Sequence, residues 1–312
     1  MLLEENKIFR FHSDTIDVVR REINLSQEED MREAIKILRE WVHIQPHFKI
    51  KDFPDSYLER WIVASKGSVE KAKSRLDRMC TIRTLIPHYF IETDVTRDFN
   101  DIFDKVIPVI CPKLTKEHHR VIVTKSLVSD ADAEFLTKFY KYSIYICELL
   151  RRYDYGMGLH SVYDVQSLDI VKLMTKINVV EFRNILTILL EGYGMRVKGI
   201  HIIIQSKSIE LLLNIAKTIL KPKIISRIHV HKSYEELHEI IGKDVIPIEF
   251  GGNERSIFEL HDDLIEVAST KEFKEWYSTM LNARTDEELR PNGKFNEEYA
   301  GTPGTFRMLN LD

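Results

Sequence analysis

The chain has 312 residues, of which 44% are hydrophobic, 30% charged and 10% aromatic, and its formal net charge is −4. This length predicts about two domains, and the apolar content excludes disorder as the main state. The acidic balance does not favour a general nucleic-acid-binding protein, so we expect no nucleic-acid partner. Cys80, Cys111 and Cys147 are too widely spaced for a zinc knuckle, and their odd number does not support a disulfide framework.

Targeting and membrane-spanning patterns are also absent from the sequence. Residues 1–14 carry acids and lack the apolar core of a signal peptide, and no run of 18 apolar residues occurs. An odd number of cysteines is typical of a reducing compartment. We therefore expect a cytoplasmic protein.

The first third of the chain has helical spacing of apolar residues, which predicts a helical domain over residues 1–95. Ser68 is typical of a helix N-cap, and Pro87 ends a helix because the residue before proline disfavours the helical conformation. The proline-containing segment 90–112 is expected to connect two domains. The predicted helices cover 28–43, 55–64 and 69–86.

After residue 115 short β-branched segments alternate with amphipathic ones, which predicts an α/β domain over 96–255 with a mainly parallel sheet. The predicted strands are 120–125, 158–165, 197–204 and 224–231. The predicted helices are 131–153, 171–193, 208–220 and 233–241. Residues 256–312 are expected to form an extension packed on the core, with one helix over 271–281.

Glycine-rich cofactor motifs and nucleophile motifs are incomplete or missing. Gly156-Met-Gly158 and Gly192-Tyr-Gly194 lack the third glycine of a dinucleotide-binding turn, and neither a P-loop nor a Gly-x-Ser-x-Gly elbow occurs. We therefore predict no cofactor and no catalytic residue, so the protein is not expected to be an enzyme.

Three histidines give the best case for a metal site or an enzyme, as an alternative to a protein without catalytic residues. His229 and His231 share one strand face, and His201 lies on a predicted neighbouring strand, which permits a metal cluster or a small-molecule enzyme. No acidic or cysteine residue has ligand spacing to them, so we prefer packed histidines and predict no metal. His118 and His119 are predicted to lie in a solvated turn.

Several strings, in order, resemble the CRAL-TRIO lipid-transfer family over residues 55–252, most closely the branch of α-tocopherol transfer protein and cellular retinaldehyde-binding protein. They are DSYLERWIVA at 55–64, VEKAK at 69–73, VKGIHII at 197–203, KPKIISRIHVH at 221–231 and IPIEFGG at 246–252. The end, GTFRMLNLD at 304–312, resembles the tail of insect-type members. The sequence departs from the family at 204–206, where Asn-x-Pro is absent, and at 63–65, where the tocopherol-type Arg-x-Arg is absent.

The resemblance implies a sheet floor, helices on one side and an apolar cavity under a mobile gate helix. Tyr140, Ser143 and Cys147 share one helical face by their spacing, and the resemblance turns that face toward the cavity. The other expected lining residues are Leu159, Tyr163, Ile185, Ile188, Leu189, Tyr193, Val197 and Ile200. The amphipathic segment 208–220 is the predicted gate helix, with an apolar face of Ile209, Leu212, Leu213, Ala216 and Leu220.

The resemblance also implies a basic patch that receives a phosphoinositide headgroup, at Arg196, Lys198, Lys223 and Arg227. Lys66 is a possible substitute for the arginines missing at 63–65. The predicted function is a cytoplasmic, peripherally membrane-bound carrier that transfers one hydrophobic small molecule, such as a tocopherol, retinoid or carotenoid, between anionic membranes. The alternatives are a phosphoinositide-binding adaptor without cargo and a small-molecule enzyme.

Overall fold

The computed structural model describes residues 3–291, and its first part is helical as predicted. The helix Thr15–Glu22 was not predicted, and Ser68 caps the helix Val69–Leu85 by accepting a hydrogen bond from the Lys71 amide. The helices are α1 Thr15–Glu22, α2 Glu28–Ile44, α3 Asp55–Ala64, α4 Val69–Leu85, α5 Val95–Asp98 and α6 Asn100–Phe103, with a 3₁₀ turn at Pro87–Tyr89.

A five-stranded sheet follows, in the order β1-β2-β3-β4-β5. Strands β2 to β5 are parallel, and β1 pairs antiparallel with β2. Strand β1 was not predicted, because it contains Pro108. Proline is tolerated there because β1 is an edge strand. The strands are β1 Val106–Cys111, β2 His119–Ser126, β3 Gly158–Asp164, β4 Val197–Ile203 and β5 Ile228–His231.

The helices of the second part differ from prediction in two places. The predicted helix over 171–193 is three pieces, and the predicted strand over 224–231 begins only at Ile228, since Pro222 starts a helical turn instead. The helices are α7 Ala133–Tyr153, α8 Ile170–Met174, α9 Val179–Thr187, a π turn at Ile188–Gly192, α10 Ile209–Ile219, α11 Pro222–Ile225, α12 Glu235–Ile241, α13 Ile257–Ala268 and α14 Lys271–Leu281. Further 3₁₀ turns lie at Ile248–Phe250 and Glu287–Leu289.

Helices cover both faces of the sheet, which corrects the expectation of helices on one side. One apolar core joins the N-terminal helices, α7, α9 and α14 to the front face of the sheet. A second core lies on the back face, where Val121, Val162 and Ile203 pack with side chains from α12 and α13. The predicted fold class is confirmed as α/β, with helices preceding a mainly parallel sheet.

The last described part, 256–291, packs on the rest of the molecule. The Tyr145 hydroxyl donates to the carbonyl of Ala268 at 2.8 Å, and Trp276 makes an edge contact with Tyr57 at 5.3 Å between ring centroids. Helix α13 was not predicted, although it begins with a capping box formed by Ser256 and Glu259. The proposed boundaries at 95 and 255 stay a prediction. The family-like tail at 304–312 lies outside the described residues.

Candidate functional site

An apolar cavity of about 140 Å³ lies between the front face of the sheet and the helices above it. Strands β1 to β4 form the floor, and α7 forms one wall. The cover comes from α9, the π turn and the residue after α10. The residues that contribute to the cover are Leu186, Leu189, Leu190 and Leu220.

Seven of the eleven predicted cavity residues line this space: Ser143, Cys147, Leu159, Tyr163, Leu189, Val197 and Ile200. The structure does not bring the other four, Tyr140, Ile185, Ile188 and Tyr193, to the cavity. All four are buried in the surrounding core, and the Tyr193 hydroxyl donates to Glu148 at 2.5 Å. Their role as cavity residues stays a prediction. The lining residues that were not predicted are Pro108, Ile122, Thr124, Phe139, Tyr142, Ile146, Leu150, Ser161, Leu186, Leu190 and Met195.

Few polar groups lie in the cavity wall, and they differ in their availability. The Ser143 hydroxyl donates to the carbonyl of Phe139 at 2.8 Å, so it is already engaged. Burial raises the pKa of the Cys147 thiol to about 12, which keeps this thiol protonated. Tyr142 is different, because its buried hydroxyl has no hydrogen-bond partner among the described residues.

The predicted gate helix corresponds to α10, which packs on α8. Leu220, directly after α10, is the part of the predicted apolar face that reaches the cavity. Ile209 and Ala216 are buried, and Leu212 and Leu213 are half-buried against the main core. The structure therefore brings Leu220 into the cavity wall, and the other four residues of this face pack elsewhere. The gate assignment stays a prediction.

Apolar side chains are exposed on α8 and on the two helices that follow it. Val180 is 68% exposed at the start of α9, and Leu211 is 47% exposed on α10. Val171 on α8 and Val179 on α9 are also exposed. Single exposed apolar residues are ordinary, but these four lie on consecutive helices around the cover.

The predicted basic residues lie near the starts of β4 and β5. Arg196 and Lys198 are half-buried, and Arg227 donates a hydrogen bond to the carbonyl of Val197. Lys223 is exposed on α11, four positions before Arg227. Lys66 also belongs to this surface, because its charge acts on Lys198. We call Lys66, Arg196, Lys198 and Arg227 the basic cluster.

The basic cluster has more positive charge than its surroundings compensate. The pKa of the Lys198 ammonium group is lowered by burial and next by the neighbouring charge of Arg196. Arg227 and Lys66 lower this pKa further by smaller amounts, whereas Glu22 raises it. Burial likewise lowers the pKa of Arg196, and one guanidinium nitrogen of Arg196 is buried without a hydrogen-bond partner among residues 3–291. A bound anion would stabilise the charged forms of Lys198 and Arg196 and would accept a hydrogen bond from the unpartnered Arg196 nitrogen.

The histidines contradict one expectation. His118 and His119 are buried, so they do not lie in a solvated turn. His118 adopts a positive φ of 58° directly before β2, and Thr15 Oγ1 lies 3.1 Å from its Nδ1. His201 and His231 do lie close together, as predicted, with Nδ1 and Nε2 at 2.9 Å. In the described part of the chain, no three His, Cys, Asp or Glu side chains are placed to share a metal ion.

Comparison with known proteins gives matches to two domain families. Residues 104–252 match the CRAL/TRIO domain, and residues 27–99 match the Pinta-like UBA domain. The two matches adjoin each other and together cover most of the helical region and the whole sheet.

One curated relative and one solved structure show similarity to parts of the chain. The relative is the mouse (Mus musculus) "Alpha-tocopherol transfer protein-like", which is 27% identical over 92 residues. That match spans 29% of this chain and 27% of the relative, so the chain covers about a quarter of the relative's length. The crystal structure of Sfh5 aligns with a TM-score of 0.49 at 11% identity, covering 75% of this chain and 91% of that one.

Within residues 3–291, no helix is both long enough and apolar enough to cross a bilayer. The CRAL/TRIO match contains all five strands and every residue that lines the apolar cavity. Residues 104–252, which form the sheet and the cavity, therefore match the CRAL/TRIO domain.

Proposed function

We propose that this protein binds one hydrophobic small molecule in the apolar cavity and transfers it between membranes. The observation that carries the proposal is a mainly apolar cavity between the sheet and the helices, walled by residues from at least four strands and α7. Enclosure of apolar surface supplies affinity, at about 25 cal/mol per Å². The unpartnered hydroxyl of Tyr142 is the proposed contact for a polar group of the cargo.

The cavity volume indicates that loading requires movement. Pockets for small molecules usually enclose about 300–1,000 Å³, and this cavity holds about 140 Å³. A cargo with the bulk of a tocopherol, retinoid or carotenoid therefore requires the cover to move outward. The cover is formed by α9, the π turn and Leu220. The exposed valines lie on α8 and α9, and the exposed Leu211 lies on α10. Contact of those side chains with a bilayer would favour the open state.

The basic cluster supports a second part of the proposal, which is recognition of a phosphoinositide headgroup by Arg196, Lys198, Arg227 and Lys66, with Lys223 at the edge. Half-buried cations without enough anions are suited to phosphate oxygens. The protein would then be cytoplasmic and would bind anionic membranes peripherally. A phosphoinositide adaptor without cargo is the alternative, and the apolar cavity favours the carrier.

The gate helix provides a test of transfer. We expect the double variant Leu212→Ser, Leu213→Ser to lose fluorescent cargo to buffer at least about threefold faster, because two apolar contacts with the core are removed. Transfer between liposomes should slow at the same time, since the open helix loses apolar contact with the bilayer. Stopped-flow fluorescence with donor and acceptor liposomes measures both rates.

Leu211→Ser is the matched control for the gate test, because Leu211 is exposed on the same helix. It should slow transfer without increasing leakage. Leakage from the double variant at the wild-type rate, with transfer intact, would show that α10 does not act as the gate.

The basic cluster has its own test. We expect Arg196→Gln with Lys198→Gln to reduce binding to vesicles containing phosphatidylinositol bisphosphate by about thirtyfold at low salt, because roughly 1 kcal/mol is lost for each of the two basic residues near an anionic surface. Cargo uptake from detergent should be unchanged. Lys36→Gln with Lys271→Gln removes the same charge from exposed positions elsewhere and should have a small effect. Equal vesicle binding by the two double variants would refute the phosphoinositide site.

A further inference from the structure

Four buried histidines form a continuous hydrogen-bonded row across the parallel strands, which we call the histidine row: His119 on β2, His160 on β3, His201 on β4 and His231 on β5. The Nδ1 of each ring lies 3.2, 3.0 and 2.9 Å from the Nε2 of the next, in that order. At the end of the row, His231 Nδ1 lies 3.0 Å from a carboxylate oxygen of Glu236 on α12.

The register of the sheet produces this row. On each of the first three strands, the residue paired with the next histidine lies two positions after the strand's own histidine. The row therefore runs diagonally over the strands. The facing pairs are Val121 with His160, Val162 with His201 and Ile203 with His231. Gly199 leaves room for the row, because a Cβ there would lie 2.3 Å from His201 Nε2 and 2.7 Å from His160 Nδ1.

The carboxylate of Glu236 determines where the hydrogens lie. A carboxylate accepts hydrogen bonds, so His231 donates from Nδ1 and its Nε2 accepts. The same assignment then holds for each ring in turn, and all four neutral rings carry hydrogen on Nδ1. It leaves His119 Nε2 as a bare acceptor, and this buried atom has no hydrogen-bond partner among the described residues.

The bare end of the row lies beside the basic cluster. Gly158 faces His119 across the β2–β3 ladder, and the Lys198 side chain lies so close over Gly158 that a Cβ there would come within 2.5 Å of it. Burial, and next the charge of Lys198, lower the pKa of His119 to about 3, with His160, Arg196 and His118 adding to the effect.

The middle of the row also disfavours positive charge. Burial lowers the pKa of His160 to about 4. Glu117 acts to raise this pKa, and Lys198 and His229 lower it further. Burial, followed by His160, His231 and His229, lowers the pKa of His201 to about 3. Glu236 is the carboxylate in contact with the row, and it is 58% exposed. A positive charge in the row is therefore most favourable on His231, the ring in contact with Glu236.

We propose that anion binding at the basic cluster draws one proton into the histidine row, so that headgroup recognition is linked to proton uptake. This inference rests on the proposed phosphoinositide site. The proton adds to His119 Nε2, which then donates to an oxygen of the anion. Three hydrogens shift in turn, each from Nδ1 of one ring to Nε2 of the next, and the positive charge emerges on His231 beside Glu236. No ring needs to turn over.

Calorimetry with a soluble polyanion tests the proton count. The probe is inositol hexakissulfate, whose sulfate groups do not titrate near neutral pH, so any proton exchanged belongs to the protein. Titration at about pH 6.5 in two buffers of different ionisation enthalpy should show uptake of about half a proton or more per bound probe. Affinity should rise as pH falls, since the bound state carries the extra proton.

Glu236→Gln is the informative variant, because it keeps the shape of an exposed side chain and removes the carboxylate. We expect its proton uptake to fall at least about threefold. Glu239→Gln removes the same charge from another exposed position on α12 and should match the wild type. Probe binding without proton uptake, or equal uptake by the two variants, would overturn the row's role and leave the basic cluster standing. No binding of the probe by the wild type would overturn both.

Nitrogen-15 spectroscopy of the imidazoles checks the free protein independently of any ligand. Four Nδ1–H tautomers are expected for the row, and Nε2–H tautomers at His160 and His201 would overturn the assignment.

Vesicles containing phosphatidylinositol bisphosphate, compared at about pH 6 and pH 7.5, distinguish the source of the anion. Tighter vesicle binding at the lower pH would support proton-linked binding of a lipid headgroup. A pH effect confined to the soluble probe would support proton-linked binding of a free polyanion.

Discussion

Replacing Leu189 with aspartate is expected to abolish cargo binding. Leu189 lies in the π turn and lines the cavity, so the new carboxylate would lie in the wall of a mainly apolar cavity. Burying an ionised group without a partner costs several kcal/mol, and protonating it instead still places a polar group against apolar cargo. Native mass spectrometry of the purified protein should show at least about tenfold less bound lipid than in the wild type.

The control for this variant is Leu127→Asp, in which the same change is made at an exposed position directly after β2. It should retain bound lipid, and circular dichroism should show the fold intact in both proteins. Lipid occupancy of the Leu189→Asp protein equal to that of the control would show that this cavity is not the cargo site.

A second large effect is expected from Arg83→Met. Arg83 on α4 is fully buried, and its guanidinium donates to Glu148 on α7 at 2.6 Å. The same group donates to the carbonyl of Ala283 at 3.3 Å, so it joins three parts of the chain. Removing the cation leaves Glu148 charged and buried, which should lower the free energy of unfolding by about 3–5 kcal/mol. Urea denaturation measures this change.

Two comparisons separate the buried charge from simple loss of packing. The double variant Arg83→Met, Glu148→Leu should be less destabilised than Arg83→Met alone, because no charge remains unpaired. Arg32→Met removes an exposed partner of Glu28 and should change stability by about 1 kcal/mol or less. An Arg83→Met protein that unfolds at the wild-type urea concentration would contradict the importance of this pair.

The carrier and adaptor alternatives make different use of the same molecule. A carrier needs the cavity and its cover, whereas an adaptor needs the basic cluster alone. Leu189→Asp should therefore leave vesicle binding intact, and Arg196→Gln with Lys198→Gln should leave cargo uptake intact. If Leu189→Asp had no consequence while the cluster variant lost vesicle binding, the adaptor would be favoured.

Local patterns in the sequence were sufficient for most of the secondary structure. β-Branched runs at 120–125 and 197–204 predicted β2 and β4, and helical spacing predicted α2 and α7, because the periodicity of apolar residues reflects which face is buried. Errors arose where one residue type has two uses. Pro108 suggested a connecting segment, yet proline is also compatible with an edge strand, and the sequence does not state which strand is at the edge.

The amino-acid sequence by itself determined the α/β class, the family resemblance and the identity of the basic and apolar residues available to a site. Only the tertiary structure decided which of them meet. Tyr193 was expected in the cavity and instead donates to Glu148, and Tyr142, which was not expected, lines the cavity. The histidine row depends on the sheet register and on Gly199, which bring together side chains about 30 to 41 positions apart. Such contacts depend on strand order and side-chain direction, and these are properties of the packed chain that local sequence spacing does not encode.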